Sequence, residues 1–142
     1  MPVRRFKGAK AKADKLFSEV VRSLGYCEAE DWDEEVLGGT SLKCSAQLQT
    51  AHICSRRFSA TRTDLRNAFC LCFSHHRYFT DYPRQFSRFI TTTWAQKWYD
   101  EIFAASLIPT KVDWAERVVY LTDIQKRINS GEITLQQARE LE

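Results

Sequence analysis

The heptapeptide "CLCFSHH", residues 70–76, constrains the fold of this chain most. It holds two thiols and two imidazoles, and thiolate sulfur and imidazole nitrogen are ligands that zinc prefers. The stretch can build one metal site, parts of two sites, or part of a buried core, because free cysteines are often buried. The chain has five cysteines, an odd number. In a reducing compartment, clustered thiols beside histidines favour metal ligation over disulfides.

Length and composition predict one soluble domain with a core of its own. The chain has 142 residues, of which 44% are apolar and 13% aromatic, which suits a single hydrophobic core. No apolar run approaches the roughly 18 residues that a membrane span needs. The first residues are basic and lack the apolar segment of a secretory signal. We therefore expect a cytoplasmic protein.

The net charge of +3 is unevenly distributed. Residues 26–42 carry six acids and no base, whereas residues 43–88 carry eight bases and two acids, a local charge of +6. A field of that sign suits a polyanion such as nucleic acid, because lysine and arginine replace phosphate counterions. A solvated basic surface with no such partner is the alternative.

Periodicity predicts a helix, a loop and two strands in the first half of the chain. Apolar residues at helical spacing indicate a helix over about 8–24, ended by Gly25. Residues 28–41 lack periodicity and contain Gly38-Gly39, which predicts a loop. The segments 45–53 and 67–73 have the length and residue types of short strands.

Helices are predicted after the heptapeptide. Pro83 can open one helix, and a second is expected to stop before Pro109. Thr134 suits the cap of a last short helix. The apolar residues predicted to face the core are Phe86, Phe89 and Ile90, then Trp94, Trp98, Ile102 and Ala105, then Trp114, Val118, Leu121, Ile124 and Ile128. Tryptophans at such spacing indicate core packing rather than platforms for base stacking.

His52, Asn67 and His76 form a His-Asn-His series around an arginine-rich connection. The segments "LQTAHICSRR", "ATRTDLRNAFCLC" and "HHRYFTDYP" resemble the phage-type branch of the HNH endonucleases, some of which act in phage recombination. The resemblance covers about residues 44–83. It implies an α+β fold, a small zinc-stabilised ββα-metal (HNH) core flanked by N-terminal and C-terminal helices.

The resemblance divides the chain, within one domain, into three parts. A basic N-terminal helix would occupy residues 1–25, the zinc-stabilised HNH core residues 26–83, and a helical extension residues 84–142. It also implies that the protein acts in the cytoplasm of a bacterium or of a phage-infected host cell.

The resemblance implies a metal-dependent DNA endonuclease that acts on double-stranded or branched DNA. His52 would be the general base, since neutral imidazole accepts a proton near pH 7. Asn67 would hold the connecting loop, and His76 would bind a catalytic Mg²⁺ or Mn²⁺. A DNA-binding module that keeps this fold without the chemistry is the alternative.

Three arginines of the connection, Arg56, Arg57 and Arg62, are candidates for binding DNA phosphates. Guanidinium groups can clamp phosphate oxygens through paired hydrogen bonds. Such contacts fix DNA without reading its sequence. The alternative for Arg56 and Arg57 is an ion pair with the acidic segment 28–35.

HNH domains of this type often carry a structural zinc held by two pairs of ligands. The resemblance implies Cys72 and His75 as one pair, with Cys27 and Cys44 as the other. Cys54 or Cys70 could replace Cys44, and any of these thiols could instead be core filler.

Two positions depart from the family pattern. Ala51 precedes the proposed base where related nucleases often have Asp or His, and Thr80 stands one helical turn after His76 where some have another ligand. Neither residue is a good cation ligand. Asp64 or Asp81 is the acid that could complete the shell of the catalytic ion.

Overall fold

The structure is a computed structural model that describes residues 2–37 and 42–142, with side chains described for 8–33 and 42–142. The described residues form an α+β fold with one two-stranded antiparallel sheet. Gly38-Gly39, part of the predicted loop, lies outside the described residues. The elements are α1 (Pro2–Arg22), α2 (Glu30–Leu37), β1 (Leu48–His52), β2 (Ala68–Cys72), α3 (Phe73–Asp81), α4 (Pro83–Thr91), α5 (Tyr99–Ser106), α6 (Trp114–Asn129) and α7 (Leu135–Glu140), with 3₁₀ turns at Leu65–Asn67 and Trp94–Lys97.

The two predicted strands are confirmed. They pair so that the first half of β1 lies beside the first three residues of the heptapeptide. Thr50 of β1 lies opposite Cys70 of β2, and Leu48 lies opposite Cys72. All five residues of β2 are buried, because the strand separates two apolar clusters. Its even-numbered residues Ala68 and Cys70 face the first cluster. Its odd-numbered residues, and Cys72 at its end, belong to the second.

The first cluster joins the two ends of the chain. Ala13, Phe17 and Val20 of α1 are buried against Leu121 and Ile124 of α6, as the helical spacing of these residues predicts. Helix α1 begins earlier than predicted, at Pro2, a residue suited to the first helical position. The turn after it places Gly25 at φ +82°, a conformation that favours glycine.

The second cluster packs aromatic rings between the sheet and helices α3 and α4. The ring of Phe89 stacks on Phe79 at 4.9 Å and lies 4.5 Å from Phe69. The start of α4 at Pro83 and the burial of Phe89 and Ile90 confirm the prediction. Because α3 leaves β2 directly, this packing fixes how α3 presents its histidines to the sheet.

Two predictions about secondary structure are wrong. The segment 28–41, predicted as a loop, contains α2. Three acids in its first turn stabilise the helix N-terminus, and Trp32 anchors it by packing on Phe89. The segment from Trp94 to Ala105, predicted as one helix, divides into a 3₁₀ turn and α5. The rings of Trp94 and Trp98 then meet edge to face at 5.9 Å.

A buried ion pair connects the last helix to the segment before α2. Arg139 is 1% exposed and donates to both carboxylate oxygens of Glu28, at 2.9 and 3.1 Å. Glu28 also accepts from the backbone N–H of Cys70. The pair fixes the position of the neighbouring Cys27. Across the residues the structure describes, no helix combines the length and apolarity needed to cross a membrane.

Candidate functional site

Cys27, Cys44, Cys72 and His75 converge on one point, as predicted. One ligand atom from each lies within 4.8 Å of all the others. The four come from separate segments. Cys27 precedes α2 and Cys44 precedes β1, while Cys72 caps the N-terminus of α3 and His75 lies in its first turn. They form a potential metal-binding site of three thiols and one imidazole.

The distances within this cluster fit zinc. From Nδ1 of His75, the sulfur atoms of Cys72, Cys44 and Cys27 lie at 3.2, 3.4 and 3.6 Å. Tetrahedral zinc, with its usual bond lengths, would separate sulfur from nitrogen by about 3.6 Å. A Cys₃His donor set is an ordinary one for structural zinc. The residues therefore fit the ion that the sequence predicts.

The surroundings shift the pKa values of the cluster in different directions. Burial and the thiols of Cys27 and Cys72 raise the pKa of Cys44. Burial opposes the thiolate of Cys72, but the backbone N–H groups of His75 and Ser45 outweigh it and lower the pKa of Cys72 to about 6. Burial likewise opposes the His75 imidazolium, but bonding to the sulfurs of Cys27 and Cys72 raises the pKa of His75 to about 9. Without metal the cluster is a thiolate-imidazolium group, which a metal would deprotonate on binding.

Asp33 supports the imidazole of this cluster from α2. Its Oδ2 lies 3.4 Å from Nε2 of His75. A carboxylate only accepts, so Nε2 carries a proton toward Asp33, and Nδ1 is the nitrogen that would bind a metal once its own proton is lost. Such outer carboxylates orient histidine ligands in metal sites. No sequence pattern pointed to Asp33, which lies 42 positions before His75.

The other two cysteines lie outside the cluster. Cys70 is fully buried in the first apolar cluster, and burial, with Glu28 nearby, raises its pKa to about 12. Cys54 packs with Trp98 and Ile102, and burial raises its pKa as well. Both behave as apolar core residues, which leaves Cys44 as the fourth ligand.

His52 ends β1 and is held through one ring nitrogen. Its Nε2 lies 2.9 Å from the carbonyl oxygen of Arg62. A carbonyl only accepts, so Nε2 carries the proton and the lone pair of the neutral ring is on Nδ1. No described residue has a hydrogen bond to Nδ1. Burial lowers the pKa of His52, and the positive charges of Arg56 and Arg62 lower it further. The hydrogen bond to the Arg62 carbonyl and the charge of Asp14 raise the pKa, but by less. The ring is therefore neutral at pH 7.

His76 is held in the same way from the neighbouring strand. Its Nδ1 lies 2.7 Å from Oε1 of Gln49, so Nδ1 donates and the lone pair is on Nε2. No residue in the described part of the chain bonds Nε2. Burial lowers the pKa of His76. Nothing in the sequence distinguished Gln49 from its polar neighbours.

One cavity of about 110 Å³ is lined by both histidines. Its other lining residues include Ala51 and Thr80. An adjoining open cleft of about 370 Å³ is lined by His76 and Asp81, among others. Asp64, by contrast, has both carboxylate oxygens bonded to Arg66. Asp81 is thus the acid placed beside His76.

Asn67 is buried and bridges the two ends of the connecting loop. Its side-chain oxygen accepts from the backbone N–H of Cys54 at 2.8 Å. Its amide donates to the carbonyls of Cys54 and Thr61 at 3.0 and 2.9 Å. These bonds hold the loop from which the Arg62 carbonyl reaches His52.

The three arginines of the loop have different surroundings. Arg56 and Arg57 are exposed, and no acid of the described chain lies within ion-pair distance of either, so the pairing with segment 28–35 is not seen there. Arg62 instead uses three donors on Asp14 and on the carbonyl of Arg56. Two of its five N–H groups remain. The contacts of Arg62 connect the loop to helix α1.

Comparison with protein-family models, curated proteins and solved structures found no match to this chain. We therefore infer its function from the geometry of these side chains.

Proposed function

We propose that the protein is a metal-dependent endonuclease that hydrolyses phosphodiester bonds in DNA, with zinc as a structural ion. One observation carries the proposal. Two imidazoles from different elements, His52 and His76, line one cavity, and each is anchored through one nitrogen so that the lone pair of the other is available.

His52 fits the general base. Nδ1 of the neutral ring takes a proton from a water molecule, and the water oxygen forms a bond to phosphorus. The bond from phosphorus to the sugar oxygen breaks, and that oxygen takes a proton from solvent. A histidine of ordinary pKa is already mostly neutral at pH 7. The lowered pKa of His52 increases the neutral fraction further, so that the lone pair can accept a proton.

His76 would hold the catalytic Mg²⁺ or Mn²⁺ through Nε2, with Asp81, a lining carboxylate of the cleft that also pairs with Arg77 at 3.8 Å. Such an ion, when bound, neutralises charge on the scissile phosphate and on the departing oxygen. Arg56 and Arg57 are exposed on the loop that ends at Asn67 and are the arginines we assign to neighbouring phosphates. They would position DNA rather than read its sequence.

Zinc would be held by Cys27, Cys44, Cys72 and His75. It would join the segment before α2, the segment before β1 and the start of α3. Hydrogen bonds from Phe73 to Gln47 and from Ser74 to Ser45 already join the last two of these segments, but a two-stranded sheet is weak alone. Zinc thereby fixes the helix that carries His76 relative to the strand that carries His52.

A zinc-stabilised DNA-binding module without catalysis is the second candidate. Ala51 and Thr80 favour it, because they line the cavity where related nucleases supply cation ligands. Thr80 uses its hydroxyl on the carbonyl of His76. A catalytic ion would then depend on His76, DNA oxygens and water.

A plasmid-cleavage assay separates the two candidates. We expect supercoiled DNA to be nicked in Mg²⁺ or Mn²⁺ but not in EDTA, and His52→Ala and His76→Ala to lose at least about 100-fold of the rate, the usual contribution of a general base. Ser87→Ala, on the exposed side of α4, is the control. Gel-shift binding without cleavage by the wild type under any metal would support the second candidate. Equal cleavage by His52→Ala would refute the assignment of the base.

A further inference from the structure

We infer that helix α1, outside the segment 44–83 that carries the resemblance, belongs to the machinery of the site. Asp14 is a positioning residue that orients His52 through Arg62. The inference rests on the proposed function for its catalytic consequence, but the contact itself can be tested without it.

The link begins at the carbonyl that holds the base. The Arg62 carbonyl is the acceptor for Nε2 of His52 at 2.9 Å. The guanidinium of the same residue donates from Nε and Nη2 to the two carboxylate oxygens of Asp14, at 2.8 and 2.7 Å. A bidentate pair of this kind fixes orientation as well as distance. Both side chains are largely buried, with 15% and 29% exposure.

The loop around Arg62 is fixed from two further directions. The remaining arm of its guanidinium donates to the carbonyl of Arg56 at 2.9 Å. Asn67 donates to the carbonyl of the preceding residue, Thr61, at 2.9 Å. The Arg62 carbonyl that faces His52 is therefore fixed from two sides. Asn67 holds the preceding residue, and Asp14 holds the side chain of Arg62 itself.

The same face of α1 touches the imidazole directly. Phe17 stands three residues after Asp14, which places both on one side of a helix. Its ring lies 5.3 Å from the His52 ring and contributes to the burial that favours the neutral base. Helix α1 is itself held against α6 by the first apolar cluster, in which Ala13 and Val20 are buried. Helix α1 thus supports His52 in two ways. Phe17 packs against the ring, and Asp14 holds the residue whose carbonyl binds Nε2.

Arg62 was one of the three arginines predicted to bind DNA phosphates, and its contacts differ from those of the other two. The guanidinium group of Arg62 forms its paired hydrogen bonds within the protein, to the carboxylate of Asp14, 48 positions earlier in the chain. Arg56 and Arg57 remain exposed beside it. We therefore expect loss of Arg56 to weaken DNA binding, and loss of Asp14 to impair turnover instead.

The test compares Asp14→Asn with Glu19→Gln in the full-length protein. Both remove one charge from α1, but Glu19 has no contact with the loop among the described residues. In ¹⁵N-labelled protein, the proton on Nε2 of His52, identified by its loss in His52→Ala, should be visible in the wild type because the bond to Arg62 slows exchange. We expect it to broaden beyond detection in Asp14→Asn and to persist in Glu19→Gln. Asp14→Glu should restore it in part.

Nicking kinetics provide the second measurement. A displaced base costs on the order of tenfold to a hundredfold in rate, so kcat of Asp14→Asn should fall by that factor with the KM for DNA unchanged. If Asp14→Asn does not fold, as judged by circular dichroism, Arg62→Lys removes the fork with the charge kept and should give the same result. An unchanged Nε2 proton in the variant, or none in the wild type, would overturn the inference. A wild type that shows the proton but never nicks would refute the nuclease proposal alone.

Discussion

Replacing Cys72 by alanine should separate a zinc ligand from a buried thiol. Cys70→Ala is the matched control, because Cys70 and Cys72 are both 0% exposed on the same strand, and only Cys72 belongs to the metal cluster. Each change removes one buried sulfur atom. The variants therefore differ in the metal bond and in one weak hydrogen bond, from the backbone N–H of His75 to the sulfur of Cys72.

The magnitudes follow from that difference. Removal of a buried sulfur atom costs about 1 kcal/mol, as for a methyl-sized cavity, which lowers the Tm of a chain this long by about 2–5 °C. A structural zinc site contributes about 10–16 kcal/mol, so one of four ligands corresponds to about 3–4 kcal/mol. Cys72→Ala should then lose about 4–5 kcal/mol in total, against a domain stability of about 5–15 kcal/mol. Its Tm should fall by about 10–20 °C.

Elemental analysis and thermal unfolding monitored by circular dichroism measure both effects. The wild type and Cys70→Ala should contain one zinc per chain and lose stability when a zinc chelator is added. Cys72→Ala should contain less zinc and respond little to the chelator. A wild type purified without zinc, or equal Tm losses for the two variants, would refute the assignment.

Three further perturbations test other contacts. Because the pKa of His52 is lowered from the ordinary 6.5, we expect the acid limb of the pH-rate profile to have its midpoint below pH 6.5, where the base becomes protonated; a midpoint above 6.5 would contradict this. Arg139→Ala leaves Glu28 as an unpaired buried carboxylate and should cost about 3–5 kcal/mol in urea unfolding, whereas the double variant with Glu28→Gln should recover part of that loss. Asp33→Asn should weaken zinc binding about 10–100-fold in a chelator competition, because His75 loses its outer carboxylate; unchanged affinity would show that Asp33 does not orient the ligand.

The two adjacent histidines of α3 illustrate how a helix separates functions. His75 is buried and faces the thiols, while His76 is half-buried and lines the cavity with His52. Successive residues on a helix point about 100° apart. A structural site and a candidate catalytic site can therefore lie side by side without sharing a ligand.

Local sequence patterns determined much of this protein. The strands, the helix at Pro83 and the capped helix after Thr134 were predictable, because turn residues and apolar periodicity act over a few positions. The resemblance of residues 44–83 to HNH domains predicted the four residues of the potential metal site, although the sequence left Cys54 and Cys70 open as replacements for Cys44. Helix α2 was not predictable, since eight residues with a single described apolar anchor, Trp32, carry no clear period.

Only the tertiary structure decided which partners the polar side chains take. Asp14 meets Arg62 across 48 positions, and Glu28 meets Arg139 across 111. The sequence shows the charges of such residues but not their partners, because an ion pair depends on where packing brings two distant segments together. The packing of α1 beside the sheet brings Asp14 to Arg62, and the packing of α7 brings Arg139 to Glu28. In this fold Arg62, predicted to bind DNA, is bonded to Asp14 and to the carbonyl of Arg56.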